Sequence, residues 1–269
     1  MIGAIAGDII GSVYERHNVR RTDFPLFHPR SRFTDDTILT VAVADALLTE
    51  TDYAKKLRDY CRSYPSRGYG FNFYTWAASD DSGPYNSLGN GSAMRVSPVA
   101  YARDTLGAVL GEARRSAEAT HNHPEGIKGA QATALAVFLA RQGFDKDTIR
   151  TKLQEGFGYN ISRTVDSIRS DYGLDVTCQG SVPESIIAFL DSTSFEDAVR
   201  NAVSLGGDAD TQACIAGAIA EAYYKEIPLD ILRQVRRRLE EPLWKKILDF
   251  YARFGAREIV DQIYALDEA

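Results

Sequence analysis

A helix-length run that is apolar on every face places the tightest limit on how this chain can fold. Residues 204–224 read SLGGDADTQACIAGAIAEAYY, and the predicted helix from about Thr211 to Lys225 has Ala, Cys, Ile and Gly on all sides. A helix without a polar face is buried inside a protein. The acids at its start, Asp208 and Asp210, therefore point into the interior, where an unpaired carboxylate is very costly. They act either as helix caps or as ligands of a cation.

A second run repeats this pattern. Residues 33–48 read FTDDTILTVAVADALL, in which Thr34, Asp35 and Asp36 precede another apolar stretch of helical length. Taken alone, this arrangement is typical of a capped helix N-terminus. Its occurrence twice in one chain, at the starts of two helices too apolar to lie on a surface, favours convergence on one site.

The ligand atoms of this predicted site are all oxygens, which suit hard cations such as Mg²⁺, Mn²⁺ or Ca²⁺ rather than zinc or copper. The DADTQ segment lacks the Gly and the distal Glu of an EF-hand calcium loop. One Mg²⁺ keeps several waters and uses few protein ligands, whereas the two runs offer four carboxylates and two hydroxyls. They therefore predict two metal ions about 3.5–4 Å apart.

Composition limits the class of protein. A chain of 269 residues with 44% hydrophobic residues can bury a large core, and no linker, low-complexity run or repeat divides it, which predicts one domain over residues 1–269. A net charge of −6 argues against a nucleic-acid partner, for which a basic face is expected. The basic cluster RQVRRRLEEPLWKK, residues 233–246, is interpreted as a solvated helix face.

Cysteine usage and the N-terminal segment indicate the compartment. Three cysteines far apart, Cys61, Cys178 and Cys214, suit a reducing cytosol without disulfides. The N-terminal apolar run has no basic region and is interrupted by Asp8, unlike a signal peptide. No run approaches the ~18 apolar residues of a membrane helix. We therefore expect a soluble, cytoplasmic protein with no membrane partner.

Hydrophobic periodicity predicts an all-α, orthogonal helical bundle, with few strand signals. Prolines 124, 183, 228 and 242 are expected in the first turns of helices. The segments 17–33, 65–91 and 171–182 are predicted to be irregular, and VTCQGSV within the last is compatible with a short strand. The predicted helices are 2–14, 35–50, 52–64, 92–102, 105–119, 124–142, 145–155, 183–191, 195–204, 210–225, 228–239, 242–254 and 256–266.

Three further segments carry polar or aromatic candidates. In GAIAGDIIGSVYER, residues 3–16, glycines four residues apart let another helix approach closely. They do not explain Glu15, for which a salt-bridged surface glutamate is the alternative interpretation. In THNHPEG, residues 120–126, no third zinc ligand lies near the two histidines, which favours a hydrogen-bonding or stacking role. GFNFYTWAAS, residues 70–79, is interpreted as core rather than as a base-stacking platform.

The segment SLGNGSAMRVSP, residues 87–98, is a candidate anion site. Its residues Gly89, Asn90, Gly91 and Ser92 can place successive N–H groups in a concave nest at a helix N-terminus. A glycine-rich turn in which Ser92 caps the following helix explains the same residues equally well. This segment alone does not decide between the two.

In order along the chain, the motifs GDIIGSVYE, FTDDT, SLGNGSAMR, THNHPEG and SLGGDADTQACIAGAIAEAYY resemble the ADP-ribosylglycohydrolase family, which includes the enzyme that reactivates dinitrogenase reductase. The resemblance covers about residues 1–226. It implies a compact all-α fold with two Mg²⁺ or Mn²⁺ ions at the bottom of a cleft. It also implies hydrolysis of the bond between the distal ribose of ADP-ribose and an acceptor, with ADP-ribose as the product.

The resemblance also assigns roles to residues of this chain. Glu15 matches the catalytic glutamate of the family, and Asp35 counts as a second catalytic carboxylate as well as a metal ligand. The implied metal ligands are Thr34, Asp35, Asp36, Asp208, Asp210 and Thr211. The implied substrate-binding residues are Ser87, Gly89, Asn90, Gly91, Ser92, Met94, Arg95 and His121. The chain after about residue 226 contributes no family motif and is interpreted as scaffold.

Two alternatives use the same residues. A metal-dependent phosphohydrolase would cut the pyrophosphate and release AMP, whereas a non-catalytic relative would bind ADP-ribose without turnover. The second would be expected to have lost ligand residues, and none is missing here. The sequence does not identify the acceptor, because acceptor specificity depends on the loops 17–33 and 156–182.

Overall fold

The computed structural model describes residues 1–255 and 257–267, and this part of the chain is all-α, as predicted. Its β-structure is limited to one isolated antiparallel bridge between Gly89 and Thr177. The helices are α1 (Ile2–Gly11), α2 (Asp35–Thr49), α3 (Tyr53–Ser63), α4 (Phe71–Ala78), α5 (Gly91–Met94), α6 (Ser97–Ala102), α7 (Leu106–Glu118), α8 (Pro124–Arg141), α9 (Lys146–Phe157), α10 (Val165–Arg169), α11 (Cys178–Leu190), α12 (Phe195–Ser204), α13 (Ala209–Tyr224), α14 (Leu229–Arg236), α15 (Glu241–Phe254) and α16 (Arg257–Asp267).

Helices α1, α2 and α13 form the centre of the molecule. All of α1, residues 36–47 of α2 and residues 209–222 of α13 are buried. For α2 and α13 this confirms the prediction from their uniform apolar faces. The closest packing joins α1 to α13. A Cβ atom at Gly3 or Gly7 would collide with the backbone of α13, so the glycines of α1 permit the predicted close approach.

The predicted helix 92–102 is wrong, because the structure has two short helices, α5 and α6, in its place. Pro98 has no N–H group to donate to the carbonyl of Met94, so a continuous helix would lose that bond. The thiol of Cys214 donates to the Met94 carbonyl instead, with Sγ 3.3 Å from the oxygen. The break therefore allows α5 to be fastened to α13.

Pro183 does not begin a helix, which is a second correction. Helix α11 begins five residues earlier at Cys178, and the hydroxyl of its N-cap, Thr177, accepts a bond from the Gly180 N–H. The VTCQGSV segment thus enters a helix after its one bridged residue, rather than forming a strand. Of the other three prolines, Pro124 and Pro242 lie in the first turns of α8 and α15, and Pro228 is the N-cap of α14.

Two short helices, α4 and α10, lie where the sequence predicted no helix. In α4 the side chains of Phe73 and Trp76 are buried, but Phe71 and Tyr74 are 84% and 52% exposed, so the core interpretation of residues 70–79 was half wrong.

The predicted helix 256–266 corresponds to α16. Residue 256, together with residues 268 and 269 of the predicted domain, lies outside the described residues.

No helix in the described part of the chain combines the length and apolar character needed to cross a membrane.

Candidate active site

A cavity of about 450 Å³ opens where α2, α5 and α13 begin. Its walls include the loop after α1, the starts of these three helices and the segment that leads into α4. Most of the predicted site residues line it: Glu15, Thr34, Asp35, Asp36, Ser87, Gly89, Asn90, Gly91, Met94, Arg95, His121, Asp208, Asp210 and Thr211. Ser92 does not, since it is fully buried and its hydroxyl donates to the Gly126 carbonyl oxygen at 2.7 Å.

The start of α2 is held by Asp8, a residue of α1 that sequence reasoning did not assign to the site. Both carboxylate oxygens of Asp8 accept bonds from Thr34, with 2.9 Å to its backbone nitrogen and 2.7 Å to its hydroxyl oxygen. Asp8 also accepts from the backbone N–H, at 3.1 Å, and the hydroxyl of Thr37. The available signal was a carboxylate in the middle of a helix that is otherwise apolar on every face.

The N-cap of α2 is Thr34, whose hydroxyl oxygen accepts a bond from the Asp36 N–H. Thr34 and Asp8 together therefore provide the capping that this motif predicts. The side chains of Asp35 and Asp36 make no capping bond and face the cavity. Gly68, at a φ of 109°, leaves room for Asp35, since a Cβ there would lie 2.9 Å from its Oδ1 atom.

The N-cap residue of α13 does not make the kind of capping bond that Thr34 makes at α2. Asp208 occupies the N-cap position, but its side chain makes no capping bond. Its Oδ2 atom instead accepts a bond of 2.8 Å from the side-chain amide of Asn90, which also donates to the Ser181 hydroxyl. The hydroxyl of Thr211 lies 3.4 Å from an oxygen of Asp36 and so connects α13 to α2. The two acidic helix starts thus meet in one place, as the sequence predicted.

Three of the buried carboxylates could hold a metal ion. Asp8, Asp36 and Asp210 each offer one oxygen, and these oxygens lie within 4.8 Å of one another. The Oδ1 atom of Asp36 is buried and has no hydrogen-bond partner among the described residues. Both oxygens of Asp8, in contrast, already accept bonds from Thr34 and Thr37. The residues present therefore fit a hard cation, with Asp8 orienting the ligands of α2.

Electrostatics lead to the same conclusion. Burial, followed by the neighbouring carboxylates, raises the pKa of Asp36 and of Asp210 well above the usual range. Burial, and then Asp8, raises the pKa of Asp35 to about 8. None of the ion pairs within residues 1–255 and 257–267 involves these acids or Asp208. A cluster of this kind needs either protons or a bound cation, because like charges so close together repel.

Glu15 lies in the turn after α1, is exposed at its side chain and lines the cavity. Partial burial and the charge of Asp208 raise its pKa, whereas Arg16 and Arg32 oppose the shift. A glutamate with a raised pKa is better suited to exchange a proton near neutral pH. No ion pair of Glu15 occurs in the described chain, so the interpretation as a salt-bridged surface residue lacks a partner.

The predicted nest is only partly available to a ligand. The N–H of Gly89 donates to the Ser87 hydroxyl at 3.1 Å, and that of Asn90 donates to the Val176 carbonyl at 2.9 Å. The N–H groups of Gly91 and Ser92, in the first turn of α5, have no acceptor within the described residues. Asn90, rather than Ser92, is the N-cap of α5.

His121 and Arg95 lie behind the nest. A Cβ at Gly91 would be 3.2 Å from Nε2 of His121, so this nitrogen faces the glycine loop. Burial and the charge of Arg95 lower the pKa of His121 well below its usual value, which keeps the imidazole neutral. Arg95 donates from Nη2 to Thr120, but its Nε and Nη1 atoms are buried without partners, and burial lowers its pKa to about 10.

The second histidine of THNHPEG has a structural role, since His123 is the N-cap of α8 and accepts a bond from the Glu125 N–H. This agrees with the hydrogen-bonding role favoured from the sequence. Met94 is buried in the cavity wall with its sulfur 3.8 Å from the Thr211 hydroxyl.

Comparison with known proteins identifies the protein family of this chain. A family model described as ADP-ribosylglycohydrolase matches residues 1–264. The chain belongs to the ADP-ribosylglycohydrolase family. Family membership confirms the resemblance found in the five sequence motifs, and it indicates a hydrolase that acts on ADP-ribose linkages.

Individual members of the family show how far the similarity extends. The chain is 29% identical to ADP-ribosylhydrolase ARH3 of Mus musculus, with 83% of this chain and 82% of the relative covered. It is 26% identical to the ADP-ribosylarginine hydrolase Tri1 of Pseudomonas putida, with 83% and 69% covered. A solved structure titled ADP-ribosylglycohydrolase-related protein complex superposes with a TM-score of 0.72 at 26% identity, over 95% of this chain and 96% of that one.

Proposed function

We propose that this protein hydrolyses the bond between C1 of the distal ribose of ADP-ribose and an acceptor, with two bound Mg²⁺ or Mn²⁺ ions, and releases ADP-ribose. The observation that carries the proposal is one cavity that combines a cluster of carboxylates without ion-pair partners among the described residues, the free N–H group of Gly91, and Glu15. The names of the relatives, an ADP-ribosylhydrolase and an ADP-ribosylarginine hydrolase, support the same substrate class.

The metal ions would be held by residues from the starts of both buried helices. When bound, they would offset the carboxylate charge and polarise the ribose hydroxyls and a water molecule. Asp8 would keep the α2 ligands in position through its bonds to Thr34 and Thr37. The proposed ligands are Thr34, Asp35, Asp36, Asp208, Asp210 and Thr211.

Glu15 is the proposed general acid or base. In the proposed hydrolysis the oxygen of water bonds to C1 of the ribose, the bond from C1 to the acceptor breaks, and the acceptor atom receives a proton. Glu15 can donate that proton or accept one from the water, because it lines the same cavity as Asp35 and Asp208 and its raised pKa favours proton exchange.

The pyrophosphate of the substrate would lie against α5. The free N–H group of Gly91 can donate to its oxygens, and Arg95 lines the same cavity. The neutral His121 can donate or accept a bond at Nε2. These donors matter because a protein with a net charge of −6 needs local positive potential to hold a diphosphate.

Product analysis tests the reaction. The protein is incubated with Mg²⁺ and a panel of arginine-linked and hydroxyl-linked ADP-ribosyl peptides, and the products are separated by chromatography. We expect free ADP-ribose, with turnover lost in EDTA and restored by Mg²⁺ or Mn²⁺. Release of AMP would instead identify a phosphohydrolase. Binding of ADP-ribose without any turnover would identify a non-catalytic relative.

The Glu15→Gln variant tests the assignment of the acid or base. Removal of such a group lowers the rate by on the order of 10²–10⁴, while ADP-ribose affinity, measured by calorimetry, should stay within a few-fold of wild type. Glu155→Gln is a matched control, since Glu155 is exposed on α9 away from the cavity. If Glu15→Gln retained near-normal turnover, Glu15 would be an ordinary surface residue.

A further inference from the structure

Two arginines lie beside Glu15 at the entrance of the cavity. Arg16 follows Glu15 in the turn after α1, and the backbone N–H of Arg32 donates to the Ser12 hydroxyl at 3.2 Å. Both side chains are exposed and line the cavity. Neither guanidinium forms an ion pair or a hydrogen bond within the described chain. Their positive charges are therefore available to a ligand.

A third arginine at this entrance, Arg67, is already engaged. Its guanidinium pairs with Glu240 at 2.9 Å and lies over the Phe33 ring, 3.9 Å from the ring centroid. Among the described residues, Arg16 and Arg32 are thus the arginines of this entrance whose guanidinium groups have no ion-pair partner.

These arginines lie at the end of the cavity where the acceptor would leave. This step rests on the proposed function, in which the pyrophosphate binds at α5 and the distal ribose lies over the carboxylates. Asn90 connects the α5 end to Asp208, whereas Glu15 and Arg16 line the cavity from the loop after α1. The group bonded to C1 would then extend toward Glu15 and the two arginines.

The charge of the acceptor decides whether Arg16 and Arg32 attract it or repel it. An arginine-linked acceptor keeps a positively charged guanidinium, which Arg16 and Arg32 would repel. A hydroxyl-linked acceptor has no charge at the linkage, and acidic residues beside it can form charge-assisted bonds with both arginines. Complementary charge at an entrance raises association rates as well as specificity.

We propose that Arg16 and Arg32 determine acceptor specificity, and that they select a peptide carrying acidic residues next to an uncharged, hydroxyl-linked ADP-ribose. A nucleic-acid end is also anionic, but two arginines do not form the basic face that nucleic-acid binding requires. The net charge of −6 further opposes a long polyanion. The acidic peptide is therefore the acceptor that these residues favour.

The test uses three matched peptides: serine-linked ADP-ribose flanked by Glu, the same peptide flanked by Lys, and an arginine-linked peptide. The full-length protein with Mg²⁺ should show a kcat/KM at least about ten-fold higher for the Glu-flanked peptide, and the preference should shrink at high salt. The double variant Arg16→Glu, Arg32→Glu should abolish or reverse it. Arg30→Glu, on the same loop but outside the cavity lining, is the control that should keep it.

The outcomes separate the two proposals. Equal or faster hydrolysis of the Lys-flanked or arginine-linked peptide by the wild type overturns the acceptor assignment but leaves the glycohydrolase proposal intact. An unchanged preference in the double variant does the same, and so does faster hydrolysis of an ADP-ribosylated DNA end. No ADP-ribose from any substrate overturns the proposed function, and the acceptor assignment fails with it.

Discussion

The starts of α2 and α13 carry nearly the same residues, TDDT and DADT, but use them differently. At α2 the N-cap Thr34 makes its capping bond, and Asp8 from α1 accepts four further bonds from Thr34 and Thr37. At α13 the N-cap Asp208 makes no capping bond, and its carboxylate accepts a bond from Asn90 instead.

This difference shows that capping and ligand binding are separate tasks at the two helix starts. Asp8 and Thr34 accept bonds from N–H groups in the first turn of α2, so Asp35 and Asp36 are not needed for capping. At α13 the acid in the capping position is turned toward the cavity, so its helix gives up a cap. Similar sequence motifs thus do not imply similar local roles, and the predictions below examine each helix start in turn.

Asp210→Asn should have the largest effect. It removes one charge from the proposed metal site, and a bound metal contributes several kcal/mol to catalysis, so we expect turnover to fall on the order of 10³-fold. Calorimetric titration should also show weaker Mg²⁺ binding. Asp249→Asn, an exposed position on α15, should change neither. If Asp210→Asn kept normal turnover and metal affinity, the DADT segment would be a helix cap and nothing more.

Asp8→Asn should destabilise the protein by about 3 kcal/mol, measured by urea unfolding in EDTA. The new amide group turns a donor toward the donors of Thr34 and Thr37, and buried donors without acceptors cost about 1–3 kcal/mol each. The sign of the change is informative. If Asp8 served mainly as a metal ligand, its neutralisation would relieve like-charge repulsion, and the metal-free protein would become more stable rather than less.

Thr34→Ala and Asp208→Asn compare the two N-caps directly. Thr34→Ala removes both the cap and the hydroxyl that donates to Asp8, so it should lower the free energy of unfolding by at least about 1 kcal/mol, and Thr34→Ser, which keeps the hydroxyl, should restore most of it. Asp208→Asn removes no capping bond and relieves repulsion among the acids, so in EDTA its free energy of unfolding should stay level or rise. A loss of about 1 kcal/mol at both positions would show that the two helix starts are equivalent.

The stabilisation by Mg²⁺ should increase with pH. The pKa of Asp35 is raised to about 8, so the folded metal-free protein holds a proton there that the unfolded chain has released. The stability that this protonated carboxyl contributes to the metal-free protein is therefore lost as the pH rises toward 8. Bound metal replaces the proton, and thermal scans should show a Tm increase with Mg²⁺ that is roughly 2 °C or more larger at pH 8 than at pH 6. A larger increase at pH 6 would contradict the metal assignment.

Local sequence pattern predicted much of the fold. The extents of α2, α3, α7, α8, α12 and α13 lie within two residues of the prediction, because a 3.6-residue period and adjacent capping residues are properties of a short segment. The prediction failed at Pro98 and Pro183. Whether a helix breaks at a proline depends on where the unpaired carbonyl finds another donor, as the thiol of Cys214 shows at Met94.

The fold class, the burial of α2 and α13 and the convergence of their acids follow from the amino-acid sequence, because helices without a polar face must lie in the core. Three features became visible only in the folded chain: Asp8 holds the start of α2, Ser92 points away from the cavity, and Arg16 and Arg32 line the cavity with Glu15. The groups that meet in these places are far apart in sequence. The bond from Thr34 to Asp8 spans 26 residues and that from Asn90 to Asp208 spans 118, and no local pattern specifies which distant groups will meet.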